Sequence, residues 1–265
     1  MKLEHLSVEH DGPVAVVTLD KPPVNALDDR TYAELTHVFG TIADDRSTRA
    51  VVLAAAGRVF CAGADVRASE RRLGAEGIST ERPPAQQIDP GLAPRECFRA
   101  IRHCPVPVVA AVGGAAIGAG LAMISQCDVI VASTLARFGM TEIKVGVLGG
   151  YAHLQRLVGP YKARKMYLTG ELVGAEELYR LGSVECVTEP ADLLGEARRL
   201  AAEFAEKSPI AVRLAKDVIL RTEDLPVEQA YPVEQDYTAR LSRFEDAKEA
   251  RRAFLEKRDP VFRWS

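Results

Sequence analysis

Two glycine-rich segments of the sequence have the composition of ligand-binding loops. Val59-Phe-Cys-Ala-Gly-Ala-Asp65 and Gly113-Gly-Ala-Ala-Ile-Gly-Ala-Gly120 each follow an apolar, strand-like run and precede a helix. Small residues let a ligand approach the main chain closely, and amides at the start of a helix carry partial positive charge. Such a loop can hold a phosphate group or the oxyanion that develops on an acyl group. For either segment alone, the alternative is that its glycines only permit close packing of a helix on a strand.

The second segment does not have the pattern of the common nucleotide-binding loops. A P-loop ends in Gly-Lys-Ser or Gly-Lys-Thr, whereas residues 118–122 are Gly-Ala-Gly-Leu-Ala. A dinucleotide-binding loop needs a third glycine three residues after the second, and Gly120 is followed by Leu-Ala-Met. We therefore discount a dinucleotide-dependent oxidoreductase, and a nicotinamide-binding assay would test that conclusion.

Glu142 is the carboxylate best suited to acid–base chemistry. It ends the run Phe138-Gly-Met-Thr-Glu142 and precedes an apolar, glycine-containing stretch, residues 143–150. Burial in such a stretch raises the pKa of a carboxyl group toward the range in which it exchanges protons near neutral pH. The alternative is an ordinary surface charge.

Neither the cysteines nor the histidines have the spacing of a disulfide framework or a zinc site. The five histidines are scattered, without an H-E-x-x-H pair. The cysteines form an odd set without C-x-x-C spacing, which predicts unpaired thiols: Cys61, Cys97, Cys104, Cys127 and Cys186. We expect neither a metal nor a redox cofactor.

Short buried strands that alternate with helices surround these segments, which is typical of an α/β fold. The apolar runs at 14–19, 50–54, 106–112 and 128–132 predict strands. Asp28 can cap a helix whose apolar residues keep helical spacing, namely Tyr32, Leu35, Val38 and Phe39.

The rest of the chain reads as helical, apart from one irregular stretch. Residues 67–95 are rich in Arg, Glu, Gly and Pro and predict a partly helical, mobile surface insertion, followed by a helix near Arg95 to His103. Toward the C-terminus the pattern predicts amphipathic helices, which suit self-association. They cover residues 175–181, 190–206, 209–221, 226–242 and 245–257.

Composition restricts the function classes further. The chain has 265 residues, 47% of them hydrophobic, with 34 basic against 37 acidic residues and a net charge of -3. This balance supplies no basic footprint for nucleic acid. The N-terminus lacks the apolar core of a signal peptide, and the longest apolar stretch, residues 106–124, is broken by proline and glycines. We expect a soluble, cytoplasmic protein that spans no membrane.

Four motifs together resemble the enoyl-CoA hydratase/isomerase, or crotonase, superfamily. They are FCAGADV at 60–66, PVVAAVGGAAIGAGLAMISQCDVIVAS at 107–133, FGMTEIKVGVLGG at 138–150 and EDAKEARRAFLEKRDPVF at 245–262. The resemblance implies an α/β spiral of repeated β-β-α units over residues 1–200, with 67–95 as a variable acyl-pocket insertion. It implies that residues 201–265 form a helical region for assembly into homotrimers or homohexamers, and that coenzyme A enters only as part of a thioester substrate.

The resemblance also assigns roles to backbone groups. In this family two amides hold the thioester oxygen, and they map to Ala64 and Ala119. Family members usually have glycine at the position of Ala119. Backbone carbonyls that contact the adenine map to Arg58 and Ala62. Asp65 sits beside them at a turn where a helix cap is a more common role than catalysis.

Further residues match positions that touch coenzyme A in the family. Arg67 lies where a basic side chain often meets the phosphates, and Phe254 and Lys257 match C-terminal positions that often act across a subunit boundary. For each of these residues the alternative is an ordinary surface role.

The carboxylates distinguish the reactions within the family. Hydratases hold a water between two glutamates; the second maps to Glu142, whereas the first maps to Ala122. A single base is compatible with double-bond isomerisation or hydrolytic ring opening of a bulky acyl-CoA, and these are the reactions we favour. The alternatives are a hydratase or hydratase-lyase that uses only the second glutamate, and a non-catalytic acyl-CoA binding homologue.

The stretch after Glu142 departs from the usual hydratase pattern. It reads Leu148-Gly-Gly-Tyr-Ala-His153, which looks like the form found in ring-cleaving CoA hydrolases of steroid breakdown. Tyr151 and His153 are therefore candidates to orient a substrate oxygen or share a proton. A lone histidine is more often a packing residue, and that alternative stays open.

Overall fold

A six-stranded sheet forms one layer of the fold. The computed structural model describes residues 1–65 and 83–265. The strands of this sheet lie in the order β1-β2-β3-β5-β7-β10. β1 and β2 form an antiparallel hairpin, and the other neighbouring pairs run parallel. The bounds are β1 Leu6–Asp11, β2 Val14–Leu19, β3 Ala50–Ala55, β5 Val108–Val112, β7 Val129–Ser133 and β10 Cys186–Thr188.

A second, four-stranded sheet has the order β4-β6-β8-β9. Its strands are β4 Val59–Cys61, β6 Ala115–Ile117, β8 Arg137–Gly139 and β9 Val173–Gly174. β4, β6 and β8 run parallel, each following a strand of the large sheet along the chain. This repetition confirms the predicted spiral of β-β-α units.

The observed strands and helices have nearly the bounds that the sequence predicts for them. Strands predicted at 14–19, 50–54, 106–112 and 128–132 are present to within two residues, and the helices predicted after residue 170 are present to within three. The helices are α1 Asp29–Asp44, α2 Pro84–Ile88, α3 Leu92–Arg102, α4 Ala119–Ile124, α5 Tyr151–Thr169, α6 Ala175–Arg180, α7 Leu193–Ala205, α8 Pro209–Thr222, α9 Val227–Leu241 and α10 Glu245–Glu256, with a 3-10 turn at Glu142–Val145.

Helix α1 shows why these patterns work. The Asp28 side chain accepts a hydrogen bond from Thr31 N at 2.8 Å, which satisfies one of the free amides of the first turn. Its apolar stripe is buried as predicted, through Tyr32, Leu35, Val38 and Phe39.

The large sheet is covered on both faces, which explains its continuous apolar strands. Val17, Leu53 and Val112 point into the larger core cluster. Val16 and Val52 lie on the opposite face, where α7 packs. The proposed division at residue 200 falls within α7, and it stays a prediction.

Several elements have no clear sequence signal. β6 lies inside the glycine-rich segment that we interpreted as a loop leading straight into a helix, and α5 contains Gly159 and Pro160 at a kink. Of the predicted insertion at 67–95, the structure describes only residues 83–95, which hold α2 and the start of α3.

Candidate active site

In the first glycine-rich segment, the Ala64 amide points away from Leu27, the residue with which Ala64 pairs. Leu27 pairs with Ala64 as a parallel bridge: Leu27 N donates to Gly63 O at 2.9 Å, and Asp65 N donates to Leu27 O at 2.8 Å. Because alternate residues of an extended chain direct their backbone groups to opposite sides, the Ala64 N–H points to the side away from Leu27. Ala64 itself is an exposed residue.

The second segment places the Ala119 amide at the start of α4. Ala119 is the first residue of that helix, and a first-turn N–H has no acceptor within its helix. The two segments touch: a Cβ built on Gly63 would lie 3.7 Å from Ala119 N and 3.3 Å from Ile117 O. Glycine at 63 therefore allows the Ala64 and Ala119 segments to approach each other closely.

The Glu142 carboxylate lies against the residue before Ala119. A Cβ built on Gly118 would come 2.4 Å from Glu142 Oε1 and 3.2 Å from its carboxyl carbon. Gly118 has φ 55° and ψ -119°, a combination that an L side chain rarely adopts. Only glycine at this position leaves room for the carboxylate beside the start of α4.

The electrostatic environment of Glu142 suits a proton-transfer group. Its Oε2 atom is buried and has no hydrogen-bond partner among the residues that the structure describes. Burial raises the pKa of the Glu142 carboxyl group, although the backbone amides of Glu142 and Thr141 act in the opposite direction. The direction of this pKa shift agrees with the sequence-based expectation, but its cause differs, because residues 143–149 are exposed and the Glu142 carboxylate lies against Gly118 instead.

Ala122 lies one turn along α4 from the start of the site. Its amide donates to Gly118 O at 2.9 Å, and the residue is only 3% exposed. The methyl group belongs to the main core cluster. Ala122, which the family resemblance matches to the first hydratase glutamate, is therefore an apolar, closely packed position in this chain.

Two residues that support the first glycine-rich segment have no distinctive signal in the sequence. Asn25, with φ 54°, donates from Nδ2 to Ala56 O at 2.9 Å and to Val59 O at 2.8 Å, and so holds the start of β4. Lys21 Nζ lies 2.7 Å from Asp28 and 3.8 Å from Asp65, at the end of the Ala64 segment. The sequence showed only a proline-rich turn here, because a buried Asn and a bridging Lys have no distinctive spacing.

The residues matched to coenzyme A contacts lie in three places. Arg58 O packs against Gly114, and Ala62 N donates to Val24 O at 3.0 Å, so both flank β4. Phe254 is 82% exposed and Lys257 ends α10; within the described residues neither is joined to Glu142 by a hydrogen bond, ion pair or ring contact. Arg67 lies outside the described residues.

Tyr151 and His153 both lie in the first turn of α5. The Tyr151 hydroxyl donates to Pro160 O at 3.5 Å, and its ring contacts Tyr167 edge-on. His153 Nδ1 lies 3.0 Å from Ser125 Oγ, just after α4, and its ring meets that of Phe98 edge-on at 5.5 Å.

Thiol chemistry has no support in the structure. Cys61 lies in β4 beside the site, but burial raises the pKa of its thiol to about 12, so it stays protonated at neutral pH. Across residues 1–65 and 83–265, no group of three or more His, Cys, Asp or Glu side chains is placed to hold a metal ion. In the same residues, no helix has the length and apolar character needed to cross a membrane.

Comparison with known proteins identifies the family of the chain. The family model described as enoyl-CoA hydratase/isomerase matches residues 9–264. The chain is 35% identical over 263 residues to a short-chain-enoyl-CoA hydratase of Clostridium acetobutylicum, covering 97% of each chain. It is also 35% identical over 244 residues to the (7aS)-7a-methyl-1,5-dioxo-2,3,5,6,7,7a-hexahydro-1H-indene-carboxyl-CoA hydrolase of Mycobacterium tuberculosis, covering 92% of this chain and 95% of that protein.

A solved structure extends the agreement to the whole fold. The crystal structure of an enoyl-CoA hydratase from Bacillus anthracis superposes with a TM-score of 0.88 at 29% identity, covering 99% of this chain and 100% of that one. The resemblance found in the sequence motifs is thus confirmed over nearly the full length. The chain belongs to the enoyl-CoA hydratase/isomerase, or crotonase, superfamily.

Proposed function

We propose that this chain binds an acyl-CoA thioester and uses Glu142 as its only acid–base residue. The observation that carries the proposal is the position of Glu142. Its carboxylate lies against Gly118, and the next residue offers the Ala119 amide. An oxyanion held by that amide and by Ala64 would therefore form beside a carboxyl group whose pKa is raised by burial.

The amides stabilise negative charge, and Glu142 moves the proton. When a proton leaves the carbon next to the thioester, the electron pair moves onto the thioester oxygen, where the amides of Ala64 and Ala119 donate to it. Losing one such donor typically costs about 3–4 kcal/mol of barrier. In an isomerisation, Glu142 removes a proton from C2 and returns it to C4, so that the double bond shifts without any second reactant.

Hydrolytic ring opening uses the same groups. Glu142 takes a proton from water, and the hydroxide adds to a ring ketone β to the thioester. The carbon–carbon bond then breaks: its electron pair forms the thioester enolate, and the ketone carbon becomes a carboxylic acid. Glu142 returns the proton to the α-carbon. The Leu148–His153 pattern and the likeness to the mycobacterial hydrolase support this reaction.

Two alternatives have observations of their own. Hydration by the second glutamate alone is supported by the likeness to the clostridial hydratase. A non-catalytic acyl-CoA binding role is supported by Ala122, which puts a packed methyl group where a two-glutamate mechanism needs a carboxylate. Retention of Glu142, whose Oε2 atom is buried and has no hydrogen-bond partner among the described residues, favours catalysis.

Coenzyme A binding and assembly complete the proposal. We propose that Arg58, Ala62, Asp65 and Arg67 contact the nucleotide part near the Ala64 segment. The C-terminal helices expose large apolar side chains, which favours a homotrimer or homohexamer in which Phe254 and Lys257 reach a neighbouring site. The most exposed are Val227, Tyr231, Phe254 and Leu255.

The test is a screen of purified protein against 2-enoyl-, 3-enoyl- and β-diketo-CoA esters with mass-spectrometric detection. An isobaric product indicates isomerisation; a product heavier by one water indicates hydration or ring opening, which fragmentation distinguishes. We expect Glu142→Gln to lower turnover by about 10²–10⁴-fold, the usual contribution of an acid–base group, while CoA-ester binding persists.

Glu189→Gln is the matched control, because Glu189 is exposed and lies at the end of β10. It should retain full activity. Full activity of Glu142→Gln would show that another group moves the proton, and binding of all three esters without turnover would favour the non-catalytic alternative.

A further inference from the structure

A cavity lies beside α4, at the opposite end of that helix from Ala119. Its volume is about 580 Å³, and its lining includes residues from the end of α3, from α4's C-terminus, from the first turns of α5 and from the loop after α8. Those that matter here are Arg102, Gln126, His153, Arg156 and Asp224. Most of the side chains that line the cavity are polar, which is unusual for a cavity that only fills a packing gap.

Hydrogen bonds at Nδ1 fix which nitrogen of His153 carries the proton. Gln126 Nε2 lies 2.9 Å from His153 Nδ1 and 2.8 Å from Ser125 Oγ. As placed, this amide nitrogen has two hydrogens and donates one to each neighbour. Ser125 Oγ in turn donates to Ala122 O at 2.7 Å. His153 Nδ1 is therefore an acceptor, and a neutral ring carries its hydrogen on Nε2.

The ring is held in that neutral form. Burial lowers the pKa of His153, and the positive charges of Arg102 and Arg156 lower it further. His153 consequently offers one Nε2–H donor rather than a positive charge.

The charged residues around the cavity already neutralise one another. Arg102 pairs with Glu223, and Arg156 Nη1 lies 2.8 Å from the same carboxylate. Arg156 Nε donates to Ser125 O at 3.1 Å, which fixes this guanidinium against the end of α4. With Asp224 also present, two acidic groups balance two arginines. The cavity thus provides hydrogen-bond donors without excess positive charge, which suits a neutral acceptor such as a ketone better than a carboxylate.

The distance from the oxyanion amides suits an acyl group. Ser125, the direct neighbour of His153, is six residues after Ala119, or about 9 Å along the helix axis at 1.5 Å per residue. Carbon–carbon bonds of about 1.5 Å make this the span of roughly six to eight carbons. Phe98 packs edge-on against the His153 ring, with the ring centroids 5.5 Å apart, and supplies an apolar contact on that side of the imidazole.

We propose that this cavity is a second substrate subsite, in which His153 Nε2–H donates a hydrogen bond to a keto oxygen at the far end of the acyl group. The inference rests on the proposed acyl-CoA function and adds its substrate class: acyl groups with a ketone about six bonds from the thioester carbonyl. Gln126 and Ser125 act as positioning residues that hold the His153 ring.

The test compares three saturated CoA esters of equal length by calorimetric titration: octanoyl-, 7-oxooctanoyl- and octanedioyl-CoA. Saturated esters make the readout independent of turnover. We expect the 7-oxo ester to bind about tenfold more tightly than octanoyl-CoA, the usual effect of one net hydrogen bond. His153→Leu should reduce this ratio to about one, whereas His153→Gln, whose amide can donate from a similar position, should restore part of it.

His103→Phe is the matched control, because His103 follows α3 but does not line the cavity, and it should keep the wild-type ratio. Equal binding of all three esters by the wild-type protein would overturn the subsite while leaving the acyl-CoA assignment intact. Tighter binding of the octanedioyl ester would overturn the assignment to a neutral acceptor. If none of the three esters binds, the proposed function itself fails.

Discussion

Glu34 and Glu142 of this chain have opposite environments. Glu34, on α1, is fully buried and accepts hydrogen bonds from Glu4 N at 3.0 Å, His5 N at 2.9 Å and Arg30 Nε at 2.6 Å. Glu142 has a buried Oε2 atom with no partner among the described residues.

Their pKa values move in opposite directions for this reason. Burial acts to raise the pKa of both carboxyl groups. At Glu34 the accepted hydrogen bonds outweigh burial and the pKa is lowered, whereas at Glu142 burial prevails and the pKa is raised. Glu34 is thus a structural carboxylate that stays ionised, and Glu142 is one that the fold leaves free to gain and lose a proton.

Of the substitutions that change the environment of one of these glutamates, Gly118→Ala is expected to have the largest effect, a loss of activity through Glu142. The added methyl group would lie 2.4 Å from Glu142 Oε1, so the carboxylate must move from its place against residue 118. A displacement of about 1 Å at a reacting group can cost about 10²-fold in rate. We expect kcat to fall by about that factor in steady-state kinetics with the ester identified by the screen.

Gly12→Ala separates this effect from backbone strain. Gly12 also has positive φ, 57°, but a Cβ there meets nothing within 4 Å. Both variants should lose about 1 kcal/mol or more of stability from the strained backbone, but only Gly118→Ala should lose activity. Equal losses of activity in the two variants would show that Gly118 acts through the backbone alone.

Much of the fold was predictable because its signals are local. Apolar runs such as 14–19 identify strands of a sheet covered on both faces, and Asp28 identifies the start of α1 through a cap that depends on neighbouring residues only. β6 and α5 were not predictable: Ala115–Ile117 has no strand-like run, and Gly159 with Pro160 interrupts a helical pattern.

The site was only partly predictable for a related reason. The sequence predicts Glu142 and a raised pKa from its apolar neighbours, but no spacing along the chain indicates that Glu142 would meet Gly118, twenty-four residues earlier. The roles of Asn25 and Ser125 likewise depend on contacts between distant segments, which a local pattern does not encode.

A smaller effect is expected when each glutamate is replaced by glutamine and unfolding is measured. Glu34→Gln removes a charge that three donors surround, and losing part of such a buried network costs about 1–3 kcal/mol. Glu142→Gln removes a poorly solvated carboxylate and should leave stability unchanged or slightly higher at neutral pH. The free energy of unfolding from urea titrations measures both. A loss at Glu142→Gln as large as that at Glu34→Gln would mean that Glu142 is also a structural residue.

The smallest effect is expected in the pH dependence of stability. The ordinary pKa of a glutamate carboxyl group is 4.5, and the pKa of Glu34 in the folded chain lies below that value. Between these values the unfolded chain binds more protons, so the contribution of Glu34 to stability is complete above pH 4.5 and is lost as the pH falls through its folded pKa. The folded pKa of Glu142 lies above 4.5, so between these values the folded chain binds more protons and stability falls as the pH rises.

The stability difference between wild-type protein and each variant should therefore change in opposite directions. For Glu34→Gln, the advantage of the wild-type protein should grow with pH, in a window below pH 4.5. For Glu142→Gln, the free energy of unfolding of the wild-type protein relative to the variant should decrease as the pH rises, in a window above pH 4.5. Urea titrations at closely spaced pH values, on both variants and the wild type, measure the two slopes. Slopes of the same sign would contradict the opposite pKa shifts, and a flat difference for Glu142 would mean that solvent reaches its carboxylate as freely in the folded chain as in the unfolded one.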